Sequence, residues 1–324
     1  MLKVNNISFN YKSKTSFTGL KNVSFQIKEG EIVALIGKSG SGKSTLIKCL
    51  YGLEDLQGGE VFVGKEQVLG PSYNLIPGHK DMKLVSQDYY VLDNHTVEEN
   101  IKDMLTGLAN DYKDARCKKI LKLLDLNPLA KLQAKTLSSG QKQRVAIARA
   151  LTVIPRVLLL DEPFNNLDRP LKEKLFTFIV NEVKKKKTSL LIITHEADEA
   201  LKYSQKIGVM DEGQLVQFGL QDKVYYQPRN LKVASLLGDY NVIKKVDLEK
   251  GSKTVLKKQL FLRPHQLYVL QKAEGADLVL TNPSLYFNGK CFELYGETRS
   301  GNGVVVYAFT QPKLAEKMYI KLKL

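Results

Sequence analysis

The sequence predicts an α/β protein built on a parallel sheet and followed by a small β-rich domain. Three observations carry that prediction. Short apolar runs at Ile32–Ile36, 157–160 and 190–193 read as strands buried on both faces. Helical periodicity fills the intervals, at 44–53, 97–106, 113–124, 141–151 and 171–185. From Asn241 onward the pattern changes to short alternating stretches at 255–262, Leu267–Leu270, 277–280, 290–295 and 304–309, separated by turn residues. That is the pattern of a small barrel-like or OB-like β domain.

In chain order, the first ~30 residues alternate like antiparallel strands, as does the stretch 58–67. Residues 70–80 hold two prolines and two glycines and read as a loop. Each apolar run is followed by polar residues, where ligands of an open α/β sheet collect. The stretch 231–237 reads as a last helix leading to a linker near Gly238. The length of 324 residues suits two domains, read here as 1–235 and 236–324.

The composition, 43% hydrophobic and 26% charged, is that of a soluble globular protein. No apolar run approaches the ~18 residues that would span a bilayer, and the first residues do not read as a signal peptide. Cys49, Cys117 and Cys291 are scattered without a CxxC pair and read as free thiols in a reducing compartment. The net charge of +15 raises nucleic acid as a partner. However, residues 236–324 carry +6 of it and the remainder +9, so the charge is diffuse. The densest run, lysines 184–187, follows an amphipathic stretch. It fits a solvated helix end, where cations suit the dipole, or a contact with anionic lipid or nucleic acid.

Gly37, Lys38, Ser39, Gly40, Ser41, Gly42, Lys43 and Ser44 fit the pattern G-x-x-x-x-G-K-[ST]. The flanking strand and the helical Thr45-Leu46-Ile47-Lys48 set this stretch apart from an ordinary Gly/Ser turn. Glycines let backbone N–H groups turn inward around phosphates, and the helix N-terminus adds its positive end. In this role Lys43 reaches the β- and γ-phosphates of ATP, Ser44 ligates Mg²⁺, and Thr45 counts among the nucleotide-binding residues. The run 157–160 ends in Asp161 and Glu162. Carboxylates at the end of a buried strand imply a cation partner. Asp161 would hold Mg²⁺ through a water, and Glu162 would act as general base toward the attacking water. A plainer role for Glu162, capping the next element before Pro163, weakens beside a phosphate loop. Ser138 and Gln141 form an S-x-x-Q capping box, with Ser139 and Gly140 between them. A capped helix start beside a glycine is also a good anion site.

The stretch Leu137, Ser138, Ser139, Gly140, Gln141, lying between the phosphate loop and Asp161, resembles the LSGGQ signature of the ATP-binding-cassette (ABC) ATPases. Lys142-Gln143-Arg144 and Ala148-Arg149-Ala150 continue the family pattern. The resemblance covers roughly residues 1–235. It implies a P-loop NTPase cassette with a RecA-like parallel core, an antiparallel β subdomain and a helical subdomain. It further implies that Ser138 and Gly140 contact ATP across a homodimer interface. Ser139 stands where the family has glycine, which bears on local backbone freedom. Gln87, within Leu84-Val85-Ser86-Gln87-Asp88, matches the family's Q-loop glutamine, which senses Mg²⁺ and the attacking water. Alone it would be a surface amide. His195 matches the switch histidine that contacts the γ-phosphate, although a lone histidine there would be structural. Tyr11 lies where the family stacks an aromatic ring on adenine, with an ordinary strand tyrosine as the other reading. Asn166-Leu167-Asp168 matches the loop that communicates between the two sites, and Asn165 precedes it where serine is common.

Residues Phe261-Leu262-Arg263-Pro264-His265-Gln266-Leu267 resemble the RPE-type start of the TOBE domain, with His265 in place of the acidic residue. That tail follows the cassette in bacterial importers for oxyanions, ferric iron, polyamines and sugars. The resemblance therefore implies an importer ATPase, peripheral on the cytoplasmic face of the membrane, with a polyamine or an inorganic ion (ferric iron, sulfate, molybdate) as cargo. It also implies transmembrane permease subunits docking around residues 89–100, and indirectly a substrate-binding protein outside the membrane. Tyr90, Leu92 and Val97 are docking candidates, with core packing equally open for Val97. An exporter ATPase is the main alternative, and the β-rich tail argues against it. A repair-type ABC ATPase acting on nucleic acid would carry an inserted coiled coil, and none is visible, so no nucleic acid is expected as partner. A ribosome-acting ABC protein would carry two cassettes. A kinase or helicase would lack the LSSGQ helix start.

Overall fold

The computed structural model describes residues 1–11, 19–86, 90–165, 167–249, 252 and 259–323. Gln87, Asn166 and part of the expected strand 255–262 lie outside the described residues. The chain divides by contacts into two compact units, Met1–Val224 and Tyr225–Leu324.

The first unit runs β1 (Leu2–Asn10), β2 (Gly19–Ile27), β3 (Ile32–Ile36), α1 (Lys43–Tyr51), β4 (Gly58–Val63), β5 (Glu66–Gln67), β6 (Met82–Val85), α2 (Val97–Asp103), α3 (Asn110–Leu123), α4 (Ser139–Thr152), β7 (Val157–Asp161), α5 (Arg169–Lys186), β8 (Ser189–Ile193), α6 (Ala197–Tyr203), β9 (Lys206–Asp211) and β10 (Gln214–Leu220). Helix α7 (Gln221–Tyr226) spans the join. Among the described residues one sheet has the order β10-β9-β3-β8-β7-β6. All neighbours in it are parallel except the β9–β10 hairpin. A second, antiparallel sheet has the order β2-β1-β4-β5.

The apolar runs are continuous because the parallel strands are covered on both sides. Side chains alternate between the faces of a strand. On β7, Val157 and Leu159 join the core shared with the antiparallel sheet and α1, while Leu158 and Leu160 join the core under α2, α3, α4 and α5. On β8, Leu191 and Ile193 take the first side, and Leu190 and Ile192 the second. Val97 belongs to the helical-side core and is fully buried, so it is a packing residue and not a docking candidate. Because β3, β7 and β8 run parallel, their C-terminal ends open on one edge of the sheet, where a ligand site forms.

The second unit holds α8 (Leu231–Leu236), β11 (Asn241–Lys244), β12 (Gln259–Leu262), β13 (Leu267–Leu270), β14 (Leu278–Phe287), β15 (Phe292–Glu297), β16 (Gly303–Ala308) and β17 (Lys317–Leu322). β11 pairs with β12, and the others form an antiparallel sheet of order β13-β17-β14-β15-β16. The sheet curls until its edge strands β13 and β16 approach each other, making a half-barrel over a core that includes Leu278, Leu294, Val306 and Ile320. β14 is much longer than the expected 277–280. A register shift between Thr281 and Ser284, with Asn282 at φ 51°, carries the strand past Pro283. The buried Asn241 amide pairs with the backbone of β16. Its Nδ2 donates to the Val305 carbonyl and its Oδ1 accepts from the Val305 N–H, each at 2.8 Å.

Arg263 is fully buried and donates to the carbonyls of Tyr225, Ala234, Gly238 and Asp239 at 2.9–3.1 Å. Its guanidinium also lies over the Tyr225 ring, 4.1 Å from the centroid. These bonds bind α8 and its C-terminal turn to the tail.

Candidate active site

β3 ends at the sheet edge, and Gly37 begins a tight turn. A Cβ there would stand 2.4 Å from the Met210 carbonyl oxygen, so only glycine lets the loop pass this close to β9. Gly42 takes φ 100° as the N-cap of α1, and no side chain caps that helix. The N–H groups of its first turn are therefore left for an anion. The Lys43 Nζ donates to the Gly37 carbonyl at 2.8 Å and the Lys38 carbonyl at 2.9 Å, and lies 3.4 Å from Ser41 Oγ. Burial holds the Lys43 ammonium below its usual range, and the charges of Glu162 and Asp161 oppose that only in part.

Asp161, the last residue of β7, is only 4% exposed. Burial raises its pKa, and a hydrogen bond with Ser44 opposes that rise. Its Oδ1 is buried without a hydrogen-bond partner. An unpartnered buried carboxylate oxygen beside a serine hydroxyl at a phosphate loop is a donor set suited to a hard, oxygen-seeking cation, so these residues fit Mg²⁺. Glu162 leaves the strand at φ 48°, and its N–H donates to the Ile193 carbonyl at 3.0 Å. Its Oε2 accepts from Asn165 Nδ2 at 2.6 Å and lies 3.6 Å from His195 Nδ1.

These groups border a cavity of about 820 Å³. Of the residues read from the sequence, Tyr11, Gly37, Ser39, Gly40, Gly42, Lys43, Ser44, Thr45, Glu162 and His195 line it. Lys38 and Ser41 act from behind by holding Lys43, and Asp161 is buried beneath. Tyr11 packs edge-on against Phe9, with centroids 4.8 Å apart. Sequence reasoning missed Gly19, Lys21, Glu212 and Gly213, which also line the cavity. The last two form the β9–β10 turn, and the Gly213 N–H donates to the Ser41 carbonyl at 3.0 Å. The signal for that turn was the Asp211-Glu212-Gly213 run between two apolar stretches.

The signature residues stand apart from this cavity, at the start of α4. Ser138 Oγ accepts from the Gln141 N–H at 3.3 Å, and Gln141 Oε1 accepts from the Ser138 N–H at 2.9 Å, completing the capping box. Neither Ser139 nor Gly140 has a positive φ, so serine in place of glycine brings no backbone strain at Ser139. Farther along α4, Gln143 Nε2 donates to the Pro163 carbonyl at 2.8 Å and ties the helix to the turn after Glu162.

A phosphate loop, a buried carboxylate behind it and an adjoining carboxylate–histidine pair define the class of P-loop ATPases. The family model for the ABC transporter matches residues 20–165. The chain is 37% identical over 230 residues to the spermidine/putrescine import ATP-binding protein PotA of Thermotoga maritima, covering 70% of this chain and 61% of that protein. It is 32% identical to the sulfate/thiosulfate import ATP-binding protein CysA of Mesostigma viride, over 98% of this chain and 92% of that protein. With PotA of Clostridium novyi the identity is 34%, over 82% and 80%. Among solved structures, a dimeric ATP-binding cassette in a post-hydrolysis state bound to ADP and Pi superposes with a TM-score of 0.60 at 27% identity, over 68% of this chain and 99% of that one. An ATP-binding subunit of an ABC transporter gives 0.62 at 27% identity, over 69% and 91%. The chain belongs to the ABC transporter family, as one of its ATP-binding subunits.

Proposed function

We propose that this chain hydrolyses ATP to energise an importer, as a homodimer that closes over ATP and reopens after hydrolysis. One observation carries the pairing: Lys43, Glu162 and His195 meet at a single cavity, and the signature helix start of the same chain does not reach it. A second copy would supply that helix start, placing Ser138, Ser139, Gly140 and Gln141 against the ATP of its partner.

Tyr11 stacks on adenine. The loop N–H groups and Lys43 hold the phosphates. Ser44 and Asp161, with Gln87 from outside the described residues, would hold Mg²⁺, which offsets charge on the β- and γ-phosphates. Glu162 takes a proton from water as its oxygen bonds to the γ-phosphorus. The bond from that phosphorus to the β–γ bridging oxygen breaks, releasing ADP and phosphate. His195, beside Glu162, contacts the γ-phosphate.

Lys83, Ser86, Tyr90, Met104 and Arg149 line a groove of about 140 Å³. It is the place for a permease subunit, with Arg149 lying 5.8 Å from the Tyr90 ring centroid. No described helix is long and apolar enough to cross a membrane, so separate permeases would hold the chain at the cytoplasmic face and receive cargo from a substrate-binding protein outside. The names of the long-matching relatives support a polyamine or an inorganic ion as cargo.

The deciding experiment is Glu162→Gln. The variant should bind ATP, lose most hydrolysis and accumulate as an ATP-bound dimer on size-exclusion chromatography. Normal turnover by this variant would remove Glu162 from the role of base.

A further inference from the structure

One group that touches Glu162 has no part in the mechanism above. Asn165 Nδ2 donates to Glu162 Oε2 at 2.6 Å, on the same oxygen that His195 Nδ1 approaches at 3.6 Å. A carboxylate only accepts, so the amide nitrogen, not the amide oxygen, must face it. With both neighbours on Oε2, Oε1 is left to meet a water. We propose that Asn165 is a positioning residue for ATP hydrolysis, setting the orientation of the Glu162 carboxylate toward the attacking water.

The turn that carries Asn165 is held on both sides. Before it, the Pro163 carbonyl accepts from the buried Gln143 amide at 2.8 Å. The Phe164 ring is 1% exposed and packs 4.3 Å from the Phe176 ring. After it, the Leu167 N–H donates to the Phe164 carbonyl at 3.2 Å, and Asp168 caps α5 by accepting from the Leu171 N–H at 2.9 Å. The backbone on either side of the donor is thus held before substrate arrives, which is how a supporting group contributes to rate. The serine common at this position in the family has a shorter side chain and a hydroxyl that can donate or accept. The asparagine amide nitrogen can only donate.

The inference rests on Glu162 being the base. It is tested by steady-state ATPase kinetics of the full chain, with melting temperature and ATP-driven dimerisation measured alongside. Asn165→Ala should lower kcat about tenfold, the scale of one hydrogen bond to a charged group. It should leave KM for ATP within about twofold, because the bond acts on the base and not on nucleotide binding. Asn165→Asp keeps the shape but sets an acceptor against an acceptor, and should lower kcat further than alanine does. Asn165→Ser should recover part of the loss. If the side chain only filled space, the near-isosteric aspartate would be tolerated better than alanine, and that order would overturn the proposal. So would unchanged kcat in both the alanine and the aspartate variants. Should Glu162→Gln turn ATP over normally, the base assignment fails. Should Glu162→Gln be inactive while the Asn165 variants match the parent, only the positioning role fails.

Discussion

The Lys172 ammonium on α5 lies 2.5 Å from Glu199 Oε1 and 3.1 Å from Glu196 Oε1, so one cation joins carboxylates on α6 and beside His195. Burial alone would lower the Lys172 pKa, but its bonds to Glu199 and Glu196 more than reverse that and hold it above the usual lysine range. The buried Thr194 completes the cluster, donating to Glu199 Oε2 at 2.7 Å and accepting from the Glu196 N–H at 3.1 Å. Since α5 starts at the Asp168 cap, one helix braces both the histidine segment and the turn behind Glu162.

Removing that cation leaves Glu199, 8% exposed, with an uncompensated charge. Lys172→Met should therefore destabilise the cassette by about 2–3 kcal/mol, below the range for fully buried pairs because Lys172 keeps some solvent contact. Adding Glu199→Gln should restore part of the loss, since the orphaned charge goes with it. Urea unfolding followed by circular dichroism measures both. A loss in the double variant equal to the sum of the Lys172→Met and Glu199→Gln single losses would show that the pair is not coupled.

The Ser138 hydroxyl has two duties, capping α4 within its own chain and, by the dimer proposal, meeting the partner's ATP. The two separate by substitution. Ser138→Ala should cost about 1 kcal/mol of stability, the usual worth of an N-cap. Ser138→Arg places a bulky cation at the helix start, which should abolish ATP-driven dimerisation while a single chain still binds ATP. Analytical ultracentrifugation with ATP, on a Glu162→Gln background, reads the difference. A dimer formed by the arginine variant would mean that the signature faces something other than a partner's nucleotide.

The parallel core was legible in the sequence because the interiors of strands covered on both faces are apolar, so Ile32–Ile36, 157–160 and 190–193 stand out as unbroken apolar runs, with the polar Asp161 and Ser189 at strand ends. The phosphate loop was legible for a different reason: Gly37 and Gly42 occupy backbone positions that tolerate no side chain. Half-exposed elements were harder to see. β10 has no fully buried residue, and no sequence reading found it, although its turn residues Glu212 and Gly213 reach the cavity. β17 alternates Met318, Ile320 and Leu322 inward but is interleaved with lysines, and its pairing with β13 and β14 is entirely non-local. The bond from Asn165 to Glu162 and the Lys172 cluster depend on how loops fold back, and no local periodicity encodes that.

In the tail, Asp247 gives a stability signal that titrates. It is 2% exposed. It accepts from Thr298 Oγ1 at 2.7 Å, Ser300 Oγ at 2.5 Å, Asn302 Nδ2 at 2.9 Å and the Lys244 N–H at 3.0 Å. Burial would raise its pKa, but these four donors together pull it below the ordinary aspartate value of 3.8. A carboxylate with a depressed folded pKa contributes stability fully above its unfolded pKa. That contribution is lost as pH falls through the folded value, because unfolding then takes up a proton. Asp247→Asn keeps one acceptor oxygen but turns an amide N–H2 toward the two donors on the other side, which should cost the tail about 2 kcal/mol at neutral pH. The difference between parent and variant should stay constant above about pH 5 and shrink once pH drops below the usual aspartate pKa. Hydrogen exchange at residues 298–302 during urea titration reads the tail separately from the cassette. A stability difference that grew on acidification would mean that the carboxylate is held protonated, and the sign of this assignment would reverse.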